Sequence, residues 1–533
     1  MKNFKYLIWL IAVILIFLMY YIELPALNLS SPLFWYFIFK VLIIISICII
    51  LTNGDRIVFN NHFNKNLLSI YKYLFLSVGG LFVLLIIINI ISGPFFNAKE
   101  YSDRIKVNNN NEFIKDIKQV DFSKIPLIDR DSSEKLGDRK MGEFTSWVSQ
   151  FYVSDLYTQI NYNNQIVRVT PIEYDGFIKY ITNRDEGIKG YITVNSVDGT
   201  SNLVNLDKGM KYMPSAYFFE NLYRKLRFTY PTLIFDDASF EIDNEGNPYW
   251  IVPIIKYKAI GLKKEISGVV ILNPITGESK KYDIKNVPNW VDHVYSADLI
   301  IEEINNWGEY KNGYLNSIFG QKDVINTTEG YNYLVMDDDV YLYTGITSVS
   351  TDESNLGFVL VNLRTKETNY YLVPGAEEYS AMASAEGLVQ EKKYKASFPL
   401  LINLNDKPTY LLSLKDDAGL VKMYAFIDVT DYQKVIVSDA SLGIEAAAQK
   451  FLGDDAFINN DKYIKKSVII KSITNAVIDG NTYYYIKDNS NNMYSVSIKV
   501  NRNLLPFLKS GDSVIVSYSE SDINQIVTLE LGE

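Results

Sequence analysis

The sequence predicts an α+β protein in three parts: three N-terminal transmembrane helices, tandem small helix-plus-antiparallel-sheet modules, and a C-terminal β-barrel. Three observations predict this. Three apolar runs fall within residues 1–94, a glycine-led strand ending in asparagine recurs along the middle of the chain, and five short strands close it. With 533 residues, the chain is too long for one core and requires several domains.

The runs Tyr6 to Ile22, Leu33 to Leu51 and Tyr73 to Ser92 each approach the ~20 residues that cross a hydrocarbon core. The first begins with Lys2 and Lys5, as a signal peptide does, but it is bulky to its end and lacks a small-x-small cleavage site, so it is read as retained. Lys2, Lys5, Arg56, Lys65 and Lys72 flank one side of the spans, whereas Glu23 to Ser31 has no basic residue. The positive-inside rule then puts the N-terminus in the cytoplasm and everything after Gly93-Pro94 outside. Lys40, within the second span, is a candidate functional charge, yet it lies near enough to the outer end for its side chain to snorkel to water. Residues 1–94 carry +4, and with the whole chain at −10 the remainder carries −14. An acidic outer part disfavours nucleic acid as a partner. The single cysteine, Cys48, lies in an apolar run, which excludes a disulfide framework within one chain.

Residues 95–141 read as a stalk, polar and without periodicity around the Asn108 to Asn111 run. Asp131-Ser132-Ser133-Glu134 reads as a helix start at its end. Beyond it, Gly190-Tyr-Ile-Thr-Val-Asn195, Gly268-Val-Val-Ile-Leu-Asn273 and Gly357-Phe-Val-Leu-Val-Asn362 share one pattern, with Met423-Tyr-Ala-Phe-Ile-Asp428 a degenerate copy. Each leads into a polar turn. The spacings of 78, 89 and 66 residues suggest a supersecondary unit with variable insertions. The glycine implies a tight lead-in or a close helix approach. Helical periodicity appears at Ser215 to Arg227, Ala297 to Trp307 and Ser380 to Gln390, and more weakly at Phe144 to Tyr157. Glu245 to Trp250 and Asn405 to Tyr410 are matching hairpin turns with proline past the bend. The expected modules span 142–210, 211–295, 296–375 and 376–453.

A helix followed by antiparallel strands, ending in Asn273-Pro274-Ile275-Thr276-Gly277-Glu278, resembles the PepSY-type module of bacterial exported and membrane proteins. That resemblance implies a regulator or inhibitor of an extracytoplasmic peptidase. The segment Gly313 to Gln390, with Gly320-Gln321, Tyr341-Leu-Tyr-Thr-Gly345 and Tyr379 to Gly387, is similar to a family of multi-pass membrane proteins of Gram-positive gut bacteria, some labelled cell-shape-determining. It implies a role in the envelope. A cysteine-free outer part rich in Asn, Ile, Lys and Tyr fits such a source.

Ser441 to Leu452 reads as a short helix. The five strands that follow are Ser467 to Ile478, Thr482 to Lys487, Met493 to Ile498, Ser513 to Tyr518 and Ile526 to Leu531. An Asp479-Gly480-Asn481 turn joins the first two, and a helical turn at Leu504 to Lys509 precedes the fourth. The expectation is an OB-like barrel over 463–533.

Common catalytic chemistry has few means here. Of two histidines, His62 is in the inner loop and only His293 is outside, beside Asp292, where it reads as a packing or surface residue. No His-Glu-x-x-His or His-Cys cluster occurs, so no metal site is expected. Ser132-Ser-Glu-Lys135 fits Ser-x-x-Lys but lacks its companion motifs. Asp337-Asp338-Asp339 reads as a solvated hairpin turn rather than a cation site. Asp243 to Val252 lacks the closing glutamate of a calcium loop. The forty tyrosines fit strands and half-buried faces. The expectation is a non-enzymatic, membrane-anchored envelope protein without cofactor, whose outer modules bind or scaffold an envelope protein or cell-wall polymer. A hydrolase using distant acids such as Asp236, Asp237 and Asp337 is the lesser alternative.

The topology has a direct check. In a Cys48-free variant, cysteines replacing Ser201 and Ser490 should label with an impermeant thiol reagent in intact cells; protection of both until lysis would reverse the assignment.

Overall fold

In the computed structural model, residues 2–58, 65–336, 338–349, 354–453, 464–478, 481–498, 500–519 and 523–532 are described. The chain opens with helices α1 (Lys2–Glu23), α2 (Pro32–Val58) and α3 (Lys65–Ser92). Two of them, over Phe4–Glu23 and Pro32–Thr52, are long and apolar enough to cross a membrane. The third, Val78–Ser92, continues across a 48° bend into α4 (Pro94–Ser102), a broken span by the same measure. Pro94 has no N–H to continue the ladder. Asn97 satisfies the freed carbonyls, its Nδ2 donating to Ile91 O at 2.7 Å and Gly93 O at 3.1 Å.

The segment 95–141 is not a stalk. α4 packs on a later helix, the Ser102 hydroxyl lying 3.4 Å from Trp307 O. Val107–Asn111 adds a parallel strand beside Thr368–Tyr371. A turn of helix, α5 (Phe113–Asp116), follows, and Phe113, Phe122, Ile125 and Leu127 are buried in a core shared with residues near the far end of the body. α6 (Arg130–Gly142), capped by Asp129 Oδ1 on Ser132 N at 3.0 Å, then lies on another sheet. The segment is a strap, and it lacks periodicity because each apolar residue meets a different neighbour. The helix expected over Phe144 to Tyr157 is also corrected: only α7 (Thr145–Val148) forms there, and Phe151–Val153 is a strand, as its aromatic and β-branched residues prefer.

Four antiparallel sheets follow with one strand plan. In sheet I, Phe151–Val153 and Thr158–Tyr162 pair with two halves of Gln165–Tyr174, beside which lie Ile188–Asn195 and Ser201–Met210. Sheet II repeats the order with Ile234–Phe235, Ser239–Ile242, Pro248–Ala259, Leu262–Leu272 and Ser279–Asp283. Sheet III uses Ile325–Thr327, Asn332–Met336, Asp339–Ser348, Ser354–Asn362 and Thr368–Tyr371, with Val107–Asn111 and Gly375–Ala376 added. Sheet IV uses Lys395–Ala396, Leu400–Leu404, Lys407–Lys415, Val421–Asp428 and Val435–Asp439. The glycine-led strands and their Met423 counterpart therefore occupy the same place in each sheet.

Their ends are alike in detail. Asn195 Oδ1 accepts from Val197 N at 2.8 Å, Asn273 Oδ1 from Ile275 N at 2.9 Å, Asn362 Oδ1 from Arg364 N at 2.9 Å and Asp428 Oδ1 from Thr430 N at 3.0 Å. The side chain thus mimics a backbone turn and sets the hairpin. The glycines answer to a neighbouring strand rather than a helix. A Cβ at Gly190, Gly268 or Gly357 would overlap the carbonyl oxygen of Val204, Tyr282 or Tyr371.

Helices lie between the sheets. α8 (Phe177–Asn183) crosses one end of sheet I, and α9 (Leu222–Thr229), capped by Asn221, contributes Leu222 and Leu226 to the core of sheets I and II. α10 (Ala297–Tyr310) fills the core of sheets II and III, and α11 (Glu378–Leu388) with α12 (Ile444–Leu452) that of sheets III and IV. On sheet II, Trp250, Val252, Val270 and Leu272 face the first core while Ile251, Val269 and Ile271 face the second. On sheet III, Val359 and Val361 face the second core, Phe358 and Leu360 the third. Both faces are buried, which is why these strands read as unbroken apolar runs.

The C-terminal strands close a barrel in which Met493–Ser497 pairs in parallel with Asn524–Leu531. A 3-10 turn at Leu505–Phe507 precedes Ser513–Ser519. Asp479 and Gly480 of the expected turn lie outside the described residues.

Gly357→Ala should destabilise the protein by about 1–3 kcal/mol, the usual cost of overpacking. Gly387→Ala, at an open position of α11, should be neutral or stabilising by up to about 1 kcal/mol. Chemical denaturation of the purified protein checks both.

Candidate functional site

The loop after Asn286 carries His293 from sheet II to α10, and it is held by three sheets at once. Glu241, on an edge strand of sheet II, accepts from the backbone N–H groups of Asp292 at 2.8 Å and His293 at 3.1 Å. Asp292 Oδ2 accepts from Asn161 N of sheet I at 2.8 Å. The N–H groups of Val294 and Tyr295 both reach Leu363 O of sheet III, at 3.1 and 3.0 Å. The His293 imidazole completes the junction, with Nε2 at 2.7 Å from Gln159 O and its ring edge-on to Tyr333.

Around this loop lies a cavity of about 220 Å³ whose lining includes Asp155, Asp237, Asp298, Arg130, Tyr157, Tyr295, Tyr331, Tyr333 and His293. Its mouth is acidic, with Asp155, Asp237 and Asp298 exposed, and Arg130 the one guanidinium among them. Arg130 is committed, donating to Glu134 Oε1 at 3.0 Å and Asp155 O at 2.8 Å. Behind the lining of the cavity, and not part of it, lie buried polar groups that hold the loop. Burial pushes the carboxyl groups of Glu241 and Asp292 above the ordinary range; the charge of His293 opposes the rise in Glu241, while Glu241 adds to that in Asp292. Two such neighbouring acids favour retention of a proton. Burial also draws Arg168 down to about 10, its Nη2 donating to Gln159 Oε1 at 2.7 Å.

The geometry suits binding better than nucleophilic chemistry. The imidazole bonds a backbone carbonyl rather than a hydroxyl, and the Ser239 hydroxyl is turned to Glu241 Oε1 at 3.0 Å. Tyrosine faces beside carboxylates give an apolar surface with hydrogen-bond acceptors, the lining expected for a polyhydroxylated or amine-bearing ligand.

The other residues singled out in the sequence lie elsewhere. Asp237 lines the cavity, but Asp236 is paired with Lys264 Nζ at 2.7 Å and Asp337 lies outside the described residues. Asp339 is gripped by Arg364, with Nε and Nη2 each at 2.7 Å, and by Asn362 Nδ2 at 2.7 Å. Asp338 Oδ1 accepts from Asn161 Nδ2 at 2.5 Å. The acidic turn is therefore engaged in packing. Asp243 holds its own turn through Asn247 N at 2.8 Å. Lys135 reaches Asp417 O at 3.1 Å and Ser132 is buried, so the Ser-x-x-Lys match is not an interacting pair. His62 lies outside the described residues. Lys40 finds a partner in Glu23 Oε1 at 2.6 Å. Among the described residues no group of three or more potential metal ligands occurs.

Sequence reasoning missed Glu241, and it noted Asp292 beside His293 without giving it a role. The available signal for Glu241 was an acid flanked by Phe240 and Ile242. It missed equally the buried Glu378, which accepts from Tyr343 Oη at 2.9 Å and Asn355 Nδ2 at 2.9 Å. No protein-family model and no curated protein matches the chain.

Asp292 gives a pH prediction with a definite sign. A carboxyl raised in the folded state keeps its proton longer there, so its stabilising effect is complete below the unfolded value and is lost as pH rises through the folded one. Asp292→Asn should therefore raise the denaturation midpoint at pH 8 and converge with the parent near pH 4. A midpoint difference that is constant across that range would contradict the assignment.

Proposed function

We propose that the protein is a non-enzymatic, membrane-anchored binding or scaffolding component of the cell envelope, with its N-terminus cytoplasmic and its sheets outside. The observation that carries this reading is the acidic, tyrosine-lined cleft at the meeting of sheets I, II and III, built on a loop that all three restrain. The shared strand plan supports a reading of the four sheets as copies of one unit, stacked so that variable loops collect at their junctions. The strand order of the barrel supports an OB-like module, whose role on this reading is structural. Exposed acids at the mouth favour a ligand with free amino groups, such as a partly deacetylated or aminoacylated wall polymer.

Purified full-length protein in detergent should bind cell-wall fragments, and bind them less after their free amines are acetylated. Asp237→Asn with Asp298→Asn should weaken binding about tenfold, roughly 1.4 kcal/mol, as expected when exposed charge pairs contribute up to ~1 kcal/mol each. Equal binding by parent and variant would remove the cleft from the reading. Recovery of a peptidase by crosslinking from residue 237 would replace a wall polymer by a protein partner.

A further inference from the structure

We propose that the base of the folded body is itself a membrane-binding surface, lying in the interfacial layer of the bilayer beside the spans. The first observation is that large apolar side chains at two places stay exposed among the described residues. In α8, Phe177, Ile178 and Ile181 are exposed while Tyr180 is buried beneath them. Phe218 and Phe219 stand out between sheets I and II at 47% and 57% exposure, and Phe319 at 82% on a π-helical turn next to sheet III. Scattered exposed apolar residues need no explanation, but grouped ones mark a contact surface.

Continuity with the spans identifies what they contact. Phe219 meets Tyr21, near the end of α1, with ring centroids 5.8 Å apart, and Phe177 meets Phe218 at 6.2 Å. The adjacent Phe218 and Phe219 thus link the end of the first span to α8, one ring contacting each. On the other side, Tyr314, five residues before Phe319, packs on Phe95 at 5.3 Å, just past the end of the third apolar helix. Both patches therefore adjoin the ends of apolar helices.

The backbone adds a second, independent sign. Phe218 has φ +51°, in the left-handed region that a bulky side chain rarely adopts. Such strain persists only where surrounding structure enforces it and marks functional positions; here Arg224 Nη1 holds Phe218 O at 2.6 Å. The Arg224 guanidinium lies 4.1 Å from the ring centroid of Tyr21, which puts a cation at the edge of the aromatic group. Apolar rings below and cations at their edge are the pattern of an interfacial surface.

The test uses the full chain with Cys48 replaced, reconstituted in phosphatidylcholine–phosphatidylglycerol vesicles. Single cysteines at Ile178, Phe219, Phe319 and, as an aqueous reference, Ser490 carry a nitroxide. The first three labels should collide with oxygen several-fold more, and with a water-soluble nickel chelate several-fold less, than the label at Ser490. Labels as open to nickel as Ser490 would overturn the proposal. So would protection from both reagents, which would mean that protein covers the surface. Binding at the acidic cleft does not enter either readout.

Discussion

Sheets II and III are apolar on both faces, and the rest of the architecture follows from covering them. A sheet with one apolar face can be completed by its own helix; a sheet with two needs a neighbour on each side. Trp250 and Ile251, adjacent in one strand, face different cores. Neither core closes within one module, because each draws on two sheets and the helix between them. Stability is thus shared across junctions, and removal of sheet II or sheet III would expose an apolar face on its neighbours.

The strap answers the same constraint along the stack. It pairs with sheet III through Val107, buries Phe113 and Phe122 with sheets III and IV, and ends as α6 on sheet I. Ion pairs fasten it where it passes. Burial opposes the charge of Asp129 most strongly, but the hydrogen bond and charge of Lys415 of sheet IV, together with the bonds from Ser132, outweigh it and hold the carboxyl below the ordinary range. Arg104 pairs with Glu302 at 2.5 Å, and the neighbouring Glu303, raised by burial, is met by Lys366 of sheet III at 2.5 Å. Breaking one partner of such a buried pair leaves an uncompensated charge, so these contacts fix where the strap lies. The cleft arises where this packing is least regular, at a loop that must satisfy three sheets with polar groups.

What the sequence made legible was local. The glycine, the apolar strand and the asparagine of the three glycine-led strands act over six residues, and the backbone bonds to Asn195, Asn273 and Asn362 stay within the turn. The barrel strands were legible for the same reason, since short alternating runs between turn residues leave few other arrangements. The strap was not, because Phe113 and Phe122 pair with residues more than two hundred positions away and carry no periodicity. The roles of Glu241 and Asp292 were hidden likewise: a buried acid, whether in a strand or in a loop, has a meaning only once its partners in another element are known. Lys40 was legible as a charge in an apolar helix, but Glu23 as its partner depends on the packing of α1 against α2.

The anchor is coupled to the sheets more closely than a tether would be. Leu27 N donates to Pro231 O at 2.8 Å, Gly261 N to Ser30 O at 3.1 Å, and Arg227 Nε to Leu24 O at 2.9 Å. These bonds join the α1–α2 connection to α9 and to the hairpin of sheet II, while α4 joins α3 to α10 at the next core. The spans therefore grip the stack at two successive layers rather than at one end of a flexible chain. A flexible stalk lets a binding domain search volume; attachment at two layers fixes its orientation to the membrane plane instead. Sheet II, held by these bonds, also holds the His293 loop through Glu241, so the anchor and the cleft share one sheet as their support.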